Sequence, residues 1–377
     1  MAGRIRDEDV ALVRERASID DVVRDYVTLK TAGGGSLKGL CPFHDEKSPS
    51  FHVTPSRGMW YCFGCGEGGD VINFVQRMDH LSFAETIEKL AEKTGVQLRY
   101  IDGGAAINRQ QGVRTRLVEA HKTAATFYRE QLDSPAAAAG REFLKSRGFD
   151  ANSAEQFGVG FAPQSWDALT GFLRGKGFTD EELLGGGLVS QGNRGVYDRF
   201  RGRLVWPIRD LGGDVVGFGA RKLTDDDDGP KYLNTPETPI YKKSHVLYGI
   251  DLARREISKN QQAVIVEGYT DVMACHLAGV TTAVATCGTA FGTDHIKVLR
   301  RLLMDDDQMK GQVVFTFDGD AAGQKAAMRA FTEDQKFVSQ TFVAVESHGL
   351  DPCDLRLRHG DSAVQDLVKG RVPLFEF

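Results

Sequence analysis

Two stretches decide how this chain folds: AVIVEGYTD, residues 263–271, and VVFTFDGDAAG, residues 313–323. Each opens with a short apolar run rich in β-branched residues and then breaks into an acid and a glycine. An uninterrupted apolar run of that length is the pattern of a strand covered on both faces. Similar runs at 282–285 and 341–345 are also followed by helical spacing. Strands alternating with helices predict a parallel sheet wrapped by helices, a fold whose ligands bind beyond the carboxyl ends of the strands. The first run ends at Glu267, with Gly268, Tyr269, Thr270 and Asp271 after it. The second ends at Asp318, Gly319 and Asp320, and the run at 341–345 leads to Asp351, Pro352, Cys353 and Asp354, read here as an extended segment.

Three strand ends therefore deliver carboxylates to one rim. Oxygen ligands of this kind suit Mg2+ or Mn2+ rather than zinc, and carboxylates crowded together repel one another unless a cation sits among them. Two such ions position and activate an attacking hydroxyl and stabilise a pyrophosphate leaving group, which is what nucleotidyl transfer requires. Hydrolysis of a phosphodiester requires the same geometry. A single acid at a strand end is ordinarily a helix cap or turn residue, so the weight lies on the set. Residues 305–307, three consecutive aspartates, read as a solvated charge run, and Cys275 and Cys287 as packing residues.

Upstream, the charge balance reverses. Between Arg194 and Arg209 five arginines (194, 199, 201, 203 and 209) face one acid, Asp198, whereas from Gln261 onward 11 Lys or Arg stand against 16 Asp or Glu. The middle stretch is suited to a phosphate backbone and the last third to cations, although the formal net charge of −5 argues against bulk coating of nucleic acid. Short strands are expected at 203–208 and 215–219, and the four aspartates at 225–228 read as a solvated loop.

The N-terminal third carries a different constellation. Cys41 and His44 form one pair and Cys62 and Cys65 another, separated by 17 residues. Each pair lets a tight knuckle present two ligands, and a hairpin between them, strands 50–54 and 59–63, completes the tetrahedron of one structural zinc. Four protein ligands leave no open position, so this metal holds a fold. His52 and His80 lack ligand-spaced partners. Phe51, Trp60, Tyr61 and Phe63 are either the small core or stacking faces for single-stranded bases. Helices are expected in the first 30 residues, with Ser18 as a cap, and at 71–78 and 83–94.

At 377 residues the chain calls for two to three domains. The divisions expected are a zinc-ribbon DNA-binding domain at 1–101, a glycine-rich linker at 102–113, a basic α+β subdomain at 114–260 and the parallel-sheet subdomain at 261–377. The fold class is thus multidomain, α+β with α/β. A charged start and no apolar run long enough to span a bilayer predict a cytoplasmic protein with no membrane contact, and six cysteines in such a chain favour metal over disulfides.

In this order the two constellations resemble the bacterial DnaG-type primases over essentially the whole chain. CPFHDEKSPSF and YCFGCGEGGD are similar to that family's zinc domain, and EGYTD (267–271) and DGDAAG (318–323) to its Toprim motifs. YDRFRGRLVWPIRD (197–210) and KYLNTPETPIYKKSHVLYG (231–249) resemble its RNA-polymerase subdomain. The resemblance implies a DNA-dependent RNA polymerase, acting as a monomer at the replication fork, that makes short RNA primers on single-stranded DNA from nucleoside triphosphates. It assigns the catalytic metals to Glu267, Asp318 and Asp320, with Asp271 and Asp351 beside them, and lets Glu267 assist deprotonation of the primer hydroxyl. Arg147, Arg199, Arg201, Arg221, Lys231 and Lys243 then line the surface for template and triphosphate, where guanidinium forks match phosphate oxygens. The family motif Asp-Pro-Asp is departed from at Cys353. The family also continues into a helicase-binding domain, so a chain that stops at Phe377 is expected to be a fragment without helicase contact.

Two other classes compete. A metal-dependent nuclease or topoisomerase shares the Toprim core, but a topoisomerase needs a DNA-gating domain for which there is no room. A non-catalytic zinc and Toprim protein that only binds DNA leaves the middle motifs without a purpose.

Overall fold

The computed structural model describes residues 4–101, 113–224, 227–304, 311–317 and 340–376. Two compact units are present, Met1–Arg116 with Arg300–Met309 and Leu117–Leu299 with Lys310–Phe377.

In the first unit, β1 (Arg4–Ile5) leads into helices α1 (Asp7–Arg16) and α2 (Ile19–Arg24), and then into a five-stranded antiparallel sheet. Its strands, β2 (Lys30–Gly33), β3 (Ser36–Gly39), β4 (Phe51–Thr54), β5 (Met59–Cys62) and β6 (Gly68–Asp70), follow one another in space as in sequence. The predicted hairpin is β4 and β5, paired from Phe51 opposite Cys62 to Thr54 opposite Met59. Helices α3 (Val71–Asp79) and α4 (Phe83–Thr94) follow, and β7 (Tyr100–Ile101) closes the unit by pairing with β1. Local chemistry sets these ends: Asp70 caps α3 by accepting from Asn73 N, and Ser82 with Glu85 forms a capping box on α4. Ser18 does stand at the N-cap of α2, but its hydroxyl bonds the Asp20 carboxylate instead of the backbone.

Phe51 and Trp60 fill the ribbon core, stacked at 5.2 Å and joined by Phe43 and Phe74. Period-two alternation sends Tyr61 on β5 the other way, and Phe63 just beyond the strand follows it: Trp60 is 2% exposed, Tyr61 45% and Phe63 70%. The four aromatics therefore divide evenly between core and surface.

The second unit opens with helix α5 (Val113–Gln131), α6 (Ala138–Ser146) and α7 (Ala151–Phe157). Strand β8 (Gly160–Ala162) precedes α8 (Ala168–Gly175), α9 (Asp180–Gly185) and a hairpin of β9 (Val189–Gly192) and β10 (Gly195–Asp198). The long strands β11 (Arg203–Arg209) and β12 (Val215–Lys222), with β13 (Tyr232–Asn234), complete an antiparallel sheet ordered β13-β12-β11-β8. Asp198, 2% exposed, ends β10 against the start of α8 and accepts from Leu169 N, Thr170 N and the Thr170 hydroxyl at 2.7, 2.9 and 2.6 Å. The aspartate run departs from a solvated loop at Asp227, which pairs at 2.5 Å with the buried Arg203; residues 225 and 226 lie outside the described residues. Burying the guanidinium on β11 demands a counter-charge, and that loop supplies it.

The remaining chain builds a six-stranded sheet ordered β14-β16-β15-β17-β18-β19. Its members are β14 (Leu247–Tyr248), β15 (Gln262–Val266), β16 (Ala283–Thr286), β17 (Gln312–Phe317), β18 (Gln340–Val345) and β19 (Val372–Pro373). The central four are parallel and correspond to the four apolar runs of the sequence, while the edge strands β14 and β19 run antiparallel. Helices α10 (Ile250–Asn260), α11 (Tyr269–Leu277), α12 (Thr293–Leu303), α13 (Pro352–His359) and α14 (Asp361–Lys369) accompany it. One core serves both sheets: the Trp206 indole on β11 stacks on Tyr269 of α11 at 5.6 Å and donates to Met273 Sδ. Gly219 on β12 makes this contact possible, because a Cβ there would lie 2.2 Å from the Tyr269 ring. No helix among the described residues is long and apolar enough to cross a membrane.

Candidate metal centres and nucleic-acid interface

In the ribbon the four expected ligands converge, with the donor atoms of Cys41, His44, Cys62 and Cys65 all within 4.8 Å of one another. Cys41 Sγ is 4.0 Å from Cys65 Sγ, and Cys62 Sγ is 3.8 Å from His44 Nδ1. Those spacings suit edges of a zinc tetrahedron. The surroundings fit as well. Glu46 Oε2 lies 3.3 Å from His44 Nε2, which leaves Nδ1 for the metal, and Ser50 Oγ is 3.2 Å from Cys62 Sγ. Glu46 also accepts from Cys41 N and Ser50 N, tying both knuckles to one carboxylate. A side chain at Gly64 would strike the His44 ring, its Cβ falling 2.6 Å from Nε2. Glu46, Ser50 and Gly64 support the site without being ligands, and ligand spacing alone gives no signal for them; only the nearness of Glu46 to His44 in sequence hints at it.

The carboxyl rim of the parallel sheet is the second site. Glu267 follows β15 directly and is exposed, and Gly268 is the N-cap of α11. Asp271, one turn into α11, is 6% exposed, its Oδ2 3.1 Å from where a Gly268 Cβ would lie. Strand β17 ends at Phe317; Asp318 and Asp320, like residues 305–307, lie outside the described residues.

The third acidic motif differs in shape from the extended segment expected. Asp351 is the N-cap of α13, its Oδ1 accepting from Asp354 N at 2.6 Å, and Pro352 is the first helical residue. Asp-Pro is a helix start because the ring's fixed φ suits the first turn and its missing N–H costs nothing there. Side-chain directions at 353 and 354 therefore differ by a helical step, not by the half-turn of a strand. Cys353 turns into the core, 1% exposed, and Asp354 pairs with Arg147 Nη1 at 2.7 Å. Burial pushes the Cys353 thiol up to about 12, with Asp271 and Asp351 adding in the same direction and Arg147 opposing. These charges share one neighbourhood.

The expected cations approach from the antiparallel sheet. Arg221 lies 4.0 Å from the Phe143 ring centroid and Arg147 5.8 Å, so one ring supports both guanidinium groups. Burial raises the Tyr232 phenol, while Arg221 and Arg147 lower it and Asp271 raises it. Tyr232 thus stands where the basic block meets the acid rim. Lys231 Nζ is 5.9 Å from the same ring. Arg199 is drawn inward, donating to the Asn234 carbonyl at 3.0 Å, and burial lowers its pKa. Asn234 in turn donates to the Cys287 carbonyl and accepts from the Tyr269 hydroxyl. The Lys243 backbone is held by the Glu237 carboxylate and His295. Arg201 lies 4.2 Å from the Trp166 ring centroid and 5.2 Å from Tyr197. Trp166, 65% exposed, is a stacking surface that the sequence reading passed over. An isolated tryptophan far from any motif carries no periodic signal.

Family models match three successive parts of the chain: a CHC2 zinc finger over residues 5–105, the DNA primase catalytic core N-terminal domain over 127–254 and a Toprim domain over 261–344. The chain is 66% identical to a DNA primase of Streptomyces coelicolor, all of this chain aligning with 59% of that protein's length. Among solved structures it is similar to the RNA polymerase domain of Mycobacterium tuberculosis primase DnaG in complex with a double-stranded DNA oligomer with a 6-nucleotide overhang. That match has a TM-score of 0.68 and 58% identity and covers 71% of this chain and 84% of that one. It is also similar to the zinc-binding and RNA polymerase domains of Aquifex aeolicus primase, with a TM-score of 0.66 and 31% identity over 98% of this chain and 86% of that one.

Proposed function

Because this chain belongs to the bacterial DnaG-type primase family, we propose that it synthesises short RNA primers on single-stranded DNA from ribonucleoside triphosphates. The observation that carries this is that Arg147 and Arg221 share the Phe143 ring while Arg147 reaches Asp354, whose backbone N–H donates to the Asp351 carboxylate of the third acidic motif. A nuclease needs the acids and a grip on the diester it cuts. A polymerase must also hold a polyanionic triphosphate beside them.

The ribbon's four ligands hold one structural zinc. Glu267, Asp271 and Asp351, with Asp318 and Asp320, would hold the catalytic divalent cations, Mg2+ or Mn2+ by the hardness of their oxygens. Bound there, such ions supply activation of the primer hydroxyl and charge neutralisation on the phosphates. The chain's own residues supply the rest. Glu267, exposed at the strand end, accepts the hydroxyl proton. Arg147 and Arg221, oriented by Phe143, take the phosphate oxygens through charge-assisted hydrogen bonds. Arg199 fixes Asn234 and with it the Tyr269 side chain, and Arg201 with Trp166 offers a stacking and phosphate-binding surface to template. The exposed ribbon aromatics Tyr61 and Phe63 take template bases. We divide the chain as a ribbon domain at 1–101, a linker at 102–113, a basic subdomain at 114–260 and a Toprim subdomain at 261–377.

Incubation with single-stranded template, ribonucleoside triphosphates and Mg2+ tests the reading. Short RNA products are expected, lost in Glu267→Gln with the melting curve unchanged. Degradation of the template without synthesis would favour the nuclease.

A further inference from the structure

Helix α13 grips the turn after α6 at three points. Asp354 pairs with the Arg147 guanidinium at 2.7 Å, Cys353 Sγ lies 3.9 Å from the Arg147 carbonyl, and Arg356 Nη1 donates to the Gly148 carbonyl at 3.2 Å. Arg356 is itself held by Asp361 at 2.7 Å. Residues about 200 apart in sequence are thus joined where the basic block reaches the acid rim. Of the three, only the Asp354 contact fixes where the guanidinium points.

We propose that Asp354 is a positioning residue: it holds the Arg147 guanidinium at the acid rim through Nη1, leaving the other guanidinium N–H groups for the triphosphate of an incoming nucleotide. This rests on the primer-synthesis reading and adds to it a role for an acid outside the metal set. Three observations carry it. Asp354 follows Cys353, which is 1% exposed and turned into the core, so the helical step after it leaves Asp354 facing an arginine. The pair is partly open to water, its side chains 28% and 32% exposed. An ion pair in that setting contributes no more than about 1 kcal/mol. A triphosphate takes the remaining N–H groups of the oriented guanidinium through short charge-assisted bonds while Asp354 keeps Nη1. The carboxylate therefore orients Arg147 from one nitrogen, and the partial exposure of the pair leaves the rest of the guanidinium reachable by phosphate. Phe143 supports the same guanidinium, its ring centroid 5.8 Å from Arg147 Cζ.

The test measures equilibrium binding of a fluorescent ribonucleoside triphosphate in Ca2+, together with steady-state primer synthesis at varied nucleotide and varied Mg2+, on the 377-residue chain. Asp354→Ala is expected to weaken nucleotide binding and raise the nucleotide KM by about fivefold, with kcat and half-saturating Mg2+ unmoved. Asp354→Asn, which keeps an acceptor oxygen, should recover part of that loss. In an Arg147→Ala background, Asp354→Ala should cost nothing further. A shift in half-saturating Mg2+ would make Asp354 a metal ligand and overturn the proposal. So would multiplicative losses in the double variant, or a lowered melting temperature with nucleotide affinity unchanged. A wild-type chain that binds nucleotide but makes no RNA would overturn the primer-synthesis reading, while the binding comparison between variants still decides the role of Asp354.

Discussion

Glu46 holds His44 from behind, its Oε2 3.3 Å from the imidazole Nε2, so that the other ring nitrogen faces the cysteine sulfurs. The same carboxylate accepts from Cys41 N at 2.6 Å and Ser50 N at 3.1 Å. Removing it frees the ring to turn and leaves two backbone donors to find other partners. Glu46→Ala is expected to weaken zinc affinity by roughly 10–100-fold with all four ligands present. Competition against a chromophoric chelator measures this, and unchanged affinity would reduce Glu46 to a loop contact.

Asp198 does the corresponding work in the second unit. At 2% exposure it satisfies two backbone N–H groups and one hydroxyl at the start of α8. Alanine there strands all three donors out of water, at a cost of about 2–4 kcal/mol. Asp198→Ala should lower the urea midpoint of the second unit, and Asp198→Asn, which keeps an acceptor, should lower it less.

How far such positions are legible in sequence depends on whether they obey a local rhythm. The apolar runs at 263–266 and 313–317 are strands because burial on both faces excludes polar groups that lack a partner, Thr316 being admitted by its bond to the Ile265 carbonyl, and that constraint is written residue by residue. Cys41, His44, Cys62 and Cys65 are legible because a metal fixes their spacing. The geometry at Asp351 is legible only in part: Asp-Pro marks a helix start, but the charge of the motif says nothing about its backbone. Asp198 looked like a stray acid among arginines, and Arg203 like one more phosphate ligand. Their partners, Thr170 and Asp227, sit 28 and 24 positions away, where no periodicity connects them. The same holds for Arg147 and Asp354.

His121 gives stability a dependence on pH. It is wholly buried on α5, stacked on Phe218 at 5.7 Å with Nδ1 donating to the Leu117 carbonyl at 2.7 Å, and burial pushes its pKa down to about 4. Between about 4 and the ordinary 6.5 the unfolded chain binds a proton that the folded chain refuses. Stability therefore rises with pH through that window and is lost as pH falls, by about 3 kcal/mol in all. His276 and His295, also lowered by burial, act in the same sense. His121→Phe keeps the stack and removes the titration. The difference in unfolding free energy between wild type and variant should slope between pH 5 and 6.5 and flatten above it, and a flat difference would mean that the ring titrates normally.

The ribbon's outer face makes the last prediction. Strand alternation on β5 leaves Tyr61 facing solvent, and Phe63 in the turn just after it does the same, the two rings 4.9 Å apart in an edge contact with His52 5.0 Å from Phe63. Across the strands Tyr61 lies opposite His52, and His52 opposite Lys38, so aromatic and basic groups share one row. None of these rings supports the core, which Phe51, Trp60 and Phe74 already fill. Solvent-facing rings in such a row are worth keeping only if something stacks on them. Each stacked base contributes about 1–3 kcal/mol, so Tyr61→Ala and Phe63→Ala should each weaken single-stranded DNA binding by roughly tenfold or more without changing zinc content or melting temperature. Because no phosphate contact is removed, the slope of affinity against salt should stay the same. Anisotropy of a labelled oligonucleotide across a salt series reads both quantities. A changed slope with little loss at fixed salt would mean that the face meets the backbone and not the bases.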